Sequence, residues 1–258
     1  MEFLAFTTDT ISWGLLVSAL RRIQADEWRA PSVGLNLETP PSIVLSCIAV
    51  EAFVNEVSSL TSSYLSAETR AASAGRPDAA RKAQPVVPDV LARVASIKSD
   101  PCGSFYVRYK RLLGDLGLAT PRFLPDLSSL GKVRDALVHF RECDVPIIED
   151  QDGVIRDGQQ LPPWVAALQS HHYQDLCVLG PDTGAAWTVR MATDAMAAWT
   201  IDLALDAITY VLDSLPAGEY RDFVWNTYAS RDPEFATVFG LGKSELTTWW
   251  NTVVREDS

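Results

Sequence analysis

Histidine is scarce in this chain: His139 and the adjacent pair His171–His172 are the three present in 258 residues. Cysteine is hardly commoner. Cys47, Cys102, Cys143 and Cys177 are scattered singly, with no CxxC pair. That pattern fits reduced thiols and argues against a disulfide framework or a cysteine-rich zinc site. Adjacent histidines on a helix point about 100° apart and rarely share a metal, so no metal or other cofactor is expected. No apolar run approaches the roughly 18 to 20 residues of a transmembrane helix. The opening MEFLAFTTDTISW has no basic n-region and carries an acid at position 2. Neither a membrane partner nor a secretory signal is expected, and the expected location is the cytoplasm.

Positive charge is also in short supply. The net charge is −11, which at first sight argues against a nucleic-acid partner. Its distribution complicates that. Residues 104–141 hold seven basic residues (Arg108, Lys110, Arg111, Arg122, Lys132, Arg134, Arg141) against Asp115, Asp126 and Asp135. Residues 142–157 then hold six acids against Arg156. A local basic surface is compatible with this pattern; a globally attractive field for nucleic acid is not.

What is present is mostly helical periodicity on an ordinary globular composition, 47% hydrophobic and 21% charged. Residues 8–29 read as an amphipathic first helix ending before Pro31, followed by the connector APSVGLNLETPP. A long apolar helix follows, with Thr39 as N-cap and Pro40 in its first turn, running through PSIVLSCIAVEAFVNEVSSLTSSYLS. Residues 67–88 are Ala-rich and broken by Gly75, Pro77, Pro85 and Pro88, a loop or a short helix between linkers. DVLARVASIK, FYVRYKRLLGDLG and a helix over 125–141 come next. VPIIEDQDGVIRDG predicts a small hairpin. PPWVAALQSHHYQD predicts a short helix with the two histidines at its solvated end, and LCVLGPDTGA an irregular return. TVRMATDAMAAWTIDLALDAITYVLDSL predicts one long closing helix. GEYRDFVWNTYAS and SELTTWWNTVVRE, the latter capped by Ser244, complete the chain. No alternating βαβ pattern appears, so the expected class is all-α with a small β or irregular insert at 142–182.

The segment VRDALVHF, residues 133–140, sets three polar groups into a core helix. On a helical wheel Leu127, Leu130, Val133, Leu137 and Phe140 form one apolar stripe. Arg134 lies at its edge; Asp135 and His139 lie outside it, four residues apart on one face. A histidine can move a proton at neutral pH. An arginine offers a fork of donors to a phosphorane-like transition state, and an aspartate beside the histidine can fix its tautomer. RNA supplies its own nucleophile, the 2′-hydroxyl, so no metal is required. More structural roles are available to the same residues. His139 suits a helix C-terminus, and Arg134 can pair with Asp135, Asp126 or Glu51. Glu51, midway along an apolar helix, is expected to be paired, with Arg134 the favoured partner, and Asn55 one turn on can join the same polar line. The tryptophans at 249–250, with Trp225 and Phe223, read more readily as packing than as a base-stacking surface.

Arg–Asp–x–x–x–His near the end of a helix resembles the Arg–[Asn/Asp/His]–x–x–x–His signature of the HEPN superfamily. SIVLSCIAVEAFVNEVSS resembles an early helix of such proteins, and MAAWTIDLALDAITYVLDSLP their closing helix. The resemblance spans about residues 40–215, with the insert at 142–182 peculiar to this subgroup. It implies an up-and-down helical bundle over 40–215, an N-terminal helix in 1–39 packed on it, and C-terminal helices in 216–258 belonging to the same domain. It also implies a homodimer, an RNA substrate, and a toxin or phage-defence endoribonuclease with a cognate antitoxin or defence partner. Arg134, Asp135 and His139 would be the catalytic residues, and Glu51 and Asn55 the supporting ones. The alternatives are a non-catalytic HEPN-like interaction or regulatory module, favoured by the acidity, and a nucleotide-binding partner without cleavage activity.

Overall fold

Runs of alanine, leucine and β-branched residues without internal proline fold as predicted into helices. The computed structural model describes residues 10–25, 29–30, 35–73, 88–99, 103–139, 147–149, 155–157, 163–181 and 187–255. Its elements in chain order are α1 (Ile11–Ile23), the hairpin β1 (Arg29–Ala30) and β2 (Leu35–Asn36), α2 (Thr39–Ser73), α3 (Pro88–Ser96) and α4 (Phe105–Asp115). Then come α5 (Leu124–Val138), the hairpin β3 (Ile147–Glu149) and β4 (Ile155–Asp157), α6 (Pro163–Leu168), and the hairpin β5 (His172–Tyr173) and β6 (Leu176–Cys177). Last are α7 (Trp187–Arg190), α8 (Asp194–Ser214), α9 (Glu219–Tyr228) and α10 (Val238–Trp249), which runs into a π-helical turn at Trp250–Val254. The strands pair only as antiparallel two-stranded hairpins. The protein is therefore all-α.

Several boundaries differ from the sequence expectation. The first helix stops at Ile23, because the Asn36 amide takes the Ile23 carbonyl (3.3 Å), and residues 29–30 pair as a strand rather than continuing the helix. Thr39 is the first residue of α2 rather than its cap: its hydroxyl donates to the Thr193 carbonyl, while Asn36 Oδ1 accepts the Glu38 N–H. α2 continues through 67–73, part of the segment expected as a loop or a short separate helix; residues 74–87 lie outside the described residues. The expected single helix over 188–215 is two, because Thr193 Oγ1 accepts the Met196 N–H and starts α8 afresh. Ser244 is an exposed residue inside α10, whose cap is Thr237, accepting the Gly240 N–H. The hairpin expected in 145–158 is present as β3–β4. His172 lies in a second hairpin instead of a helix end.

α2 and α8 are each long and apolar enough to cross a membrane by length and composition, which corrects the expectation that no apolar segment reaches that length. The most apolar window of α8 is 78% buried inside the protein and that of α2 50%. Alanine and the larger aliphatic residues raise the average of these helices, and the small alanines leave them packable against protein.

By their internal contacts the residues fall into two compact units: Met1–Gly14, Ile48–Pro121 and Asp206–Leu241, and Leu15–Cys47, Arg122–Leu205 and Gly242–Ser258. In the first, Phe53, Tyr228 and Phe239 form a buried aromatic cluster with centroids 5.4–6.3 Å apart. Beside it the Glu56 carboxylate accepts the Ser12 N–H (2.8 Å), the Ser12 hydroxyl (2.6 Å) and the Tyr228 hydroxyl (2.7 Å). Glu56 thus does for α1 what an N-cap side chain would do. In the second unit, fully buried Asn36 also donates to Asp194 at the start of α8 (2.8 Å). Trp249 and Trp250 are buried there, Trp250 edge-on to Tyr173 at 4.6 Å, so this aromatic pair is packing.

Three phenols of the first unit make an alkaline prediction. Burial pushes Tyr220 up to about 12, partly offset by its hydrogen bond with Thr61. Burial raises Tyr109 further, with Tyr210 and Asp206 adding to it. Tyr228 is raised well above the ordinary value by burial first and the Glu56 charge second. A phenol held neutral in the fold contributes stability that is complete below its unfolded pKa, about 10, and lost as pH rises towards the folded value. Tyrosinate absorbance should therefore rise for these three only together with loss of circular dichroism. Full ionisation with the helical signal intact would refute the burial.

Candidate active site

The candidate site is the C-terminal end of α5. Pro125 pre-forms the first turn, and Asp126 there suits the helix dipole. Leu127, Leu130 and Val133 are fully buried as the stripe predicts, Leu137 is half-buried, and Phe140 lies outside the described residues. This stripe fixes the rotation of the helix and turns Arg134, Asp135 and His139 away from the core. The helix ends at Val138, three residues before the expected Arg141. His139 closes it from just outside, with φ −113°, ψ 38° and its N–H on the Asp135 carbonyl at 2.9 Å.

Within the trio the side chains of Arg134 and Asp135 pair, one of the structural roles open to the arginine. Arg134 Nη1 donates to Asp135 Oδ1 at 2.8 Å. The arginine side chain is 27% exposed and the aspartate 52%. The aspartate carboxylate therefore holds the arginine, and its link to His139 is through the backbone. A half-exposed ion pair of this kind is worth about 0–1 kcal/mol, so a phosphate can displace the carboxylate from the guanidinium at little cost. His139 is exposed at the helix terminus. Five positions along the same helix end separate the imidazole from the guanidinium, the two kinds of group that proton transfer and phosphate binding require.

Glu51 and Asn55 lie on α2 in the first unit, whereas the trio belongs to the second. Glu51 is paired, as a half-buried carboxylate should be, but with Arg108 of α4 at 3.3 Å, which corrects the expectation of Arg134. The α4 register places Arg108 over the middle of α2, a tertiary placement that the spacing of charges along the chain does not contain. Asn55 Oδ1 is buried without a hydrogen-bond partner among the described residues, so no polar line from Glu51 is formed through it.

The basic stretch is largely matched by acids close at hand. Arg108 pairs with Glu51, Arg111 with Asp115 (3.4 Å) and Arg134 with Asp135. Lys110, Arg122 and Lys132 are exposed, and Arg141 lies outside the described residues. Among the described residues no group of three or more His, Cys, Asp or Glu comes together as a metal site.

One polar pair on the motif helix was missed by the sequence reading. Asp126 in the first turn of α5 meets His171, Oδ1 to Nε2, at 3.0 Å. His171 was expected to be solvated; it is half-buried and edge-on to Trp199 at 5.5 Å. Forty-five residues separate the pair, and only the packing of α6 against α5 brings them together. No protein-family model, no curated protein and no solved structure matches this chain.

Proposed function

We propose that this protein is a metal-independent endoribonuclease of HEPN type, acting as a cytoplasmic homodimer in a toxin or phage-defence role. The observation that carries the proposal is the placement of Arg134 and His139 of an Arg–Asp–x–x–x–His string at the exposed end of one helix of an all-α protein. His139 takes the proton of a ribose 2′-hydroxyl, whose oxygen attacks the adjacent phosphorus. Arg134 binds the charge that grows on the non-bridging oxygens. The P–O5′ bond breaks as the His139 imidazolium returns that proton to the leaving 5′-oxygen, giving a 2′,3′-cyclic phosphate and a 5′-hydroxyl. The test is incubation of RNA with the purified chain in excess EDTA, with oligomeric state measured on the same sample. Cyclic-phosphate ends are expected. Intact RNA in the presence of folded, dimeric protein overturns the proposal.

A non-catalytic interaction module is the second reading. It is favoured by the Asp135 carboxylate, which holds Arg134 rather than the imidazole, and by the net charge of −11. Such a module binds its partner equally well without the His139 imidazole.

A further inference from the structure

His171 stands where α6 meets the β5–β6 hairpin. Its N–H bonds to the Leu168 carbonyl and its own carbonyl accepts the Val178 N–H, both at 3.0 Å. The segment is stitched on towards α8 by the Thr193 hydroxyl on the Val178 carbonyl (2.7 Å) and the Gly180 N–H on the Arg190 carbonyl (2.7 Å). A Cβ at Gly180 would come within 3.3 Å of the Arg190 oxygen, a tight contact that the glycine avoids.

Both ring nitrogens of His171 face oxygen. Nδ1 is 3.0 Å from the Ala167 carbonyl and Nε2 is 3.0 Å from Asp126 Oδ1. A carbonyl and a carboxylate only accept, whereas a neutral imidazole carries one N–H. Either neutral tautomer sets a nitrogen lone pair against one of the two oxygens; the imidazolium satisfies both. Charged groups on the surrounding elements are few among the described residues. α5 contributes Asp126. α8 presents the Trp199 ring, with Asp202 further along paired to Lys243 (3.5 Å). On the hairpin, His172 turns Nδ1 to the Ser170 carbonyl and Asp175 pairs with Arg255 (3.5 Å).

We propose that His171 is a proton-dependent tether at the junction of α6, the β5–β6 hairpin and the first turn of α5, fully closed when the ring carries two protons and bonds both the Ala167 carbonyl and Asp126, and loosened by loss of one, which gives up one of the two bonds. The second bond is present while the imidazolium persists and is lost as pH rises, so the tether loosens in the alkaline direction. It does not depend on the ribonuclease reading and is tested without any RNA.

Nitrogen-resolved NMR of the full chain at about pH 6 and about pH 8.5 reads the protonation of the ring directly. The resonance is assigned by its loss in His171→Gln. Doubly protonated nitrogens are expected at the lower pH. Hydrogen-exchange protection of the Val178 and Gly180 amides should fall about 5- to 10-fold at the higher pH, the loss of one hydrogen bond. His171→Gln, whose amide can reach Asp126 at either pH, should show no such change in protection, and neither should Asp126→Asn. A neutral ring at about pH 6 overturns the proposal, as does a wild-type change in protection that both variants reproduce.

Discussion

In the proposed ribonuclease, His139→Ala should lower RNA cleavage about 10²–10⁴-fold in excess EDTA, the share a positioned general base or acid supplies, with circular dichroism and oligomeric state unchanged. The separation of activity from folding rests on where the residue stands. His139 is exposed just beyond the last turn of α5, and a surface substitution away from packing contacts changes stability by about 0.5 kcal/mol or less. Arg134→Ala should lose about 10²–10³-fold, the scale for deleting one donor to a developing oxyanion. Asp135→Asn discriminates more sharply. Its carboxylate occupies the guanidinium and not the imidazole, so its loss should cost less than about tenfold. A loss for Asp135→Asn as deep as for His139→Ala would mean that the aspartate orients the ring during catalysis. Full cleavage by His139→Ala would take the proton-transfer role away from this histidine, whereas no cleavage by either the variant or the folded wild type would move the assignment to the interaction module.

Glu56→Ala should destabilise the protein by about 3–5 kcal/mol, because it orphans three donors at once, each worth about 1–3 kcal/mol when left unsatisfied. Ser12 and Tyr228 are fully buried, and the Tyr228 ring packs in the aromatic cluster with Phe53 and Phe239, so these donors have little freedom to turn to other partners. Against a typical total of about 5–15 kcal/mol the loss is large. Glu56→Gln keeps one acceptor and should lose less than half as much. Tyr228→Phe removes a single hydroxyl and should fall between the glutamine variant and wild type. Denaturant unfolding measures all three, and a Glu56→Ala midpoint equal to that of wild type would show that the three donors find other partners.

Helical periodicity made the all-α class legible, because an amphipathic stripe is a local property: every residue that forms it lies within a few turns of the next. The α5 stripe predicted the burial of Leu127, Leu130 and Val133 and the outward placement of Arg134, Asp135 and His139 for the same reason. Ends and breaks were less legible. Asn36 stops α1, Thr193 splits the helix expected over 188–215, and Thr237 displaces Ser244 as the cap of α10. A single side-chain hydrogen bond decides each boundary, and it outweighs propensities that differ by only tenths of a kcal/mol per residue.

Pairing was the least legible, and the two glutamates of α2 show why. Sequence alone determined that a carboxylate inside an apolar helix must find a partner, since burying it unpaired costs too much. It could not say which carboxylate or which partner. Glu51 goes to Arg108, 57 residues on, and Glu56 to Ser12 and Tyr228, 44 residues before it and 172 after it. The same holds for His171, joined to Asp126 across 45 residues. The need for a partner is set by the chemistry of one side chain in a low-dielectric surrounding and so can be read locally. The partner's identity is set by which helices pack and in what rotation, which the tertiary structure alone decides.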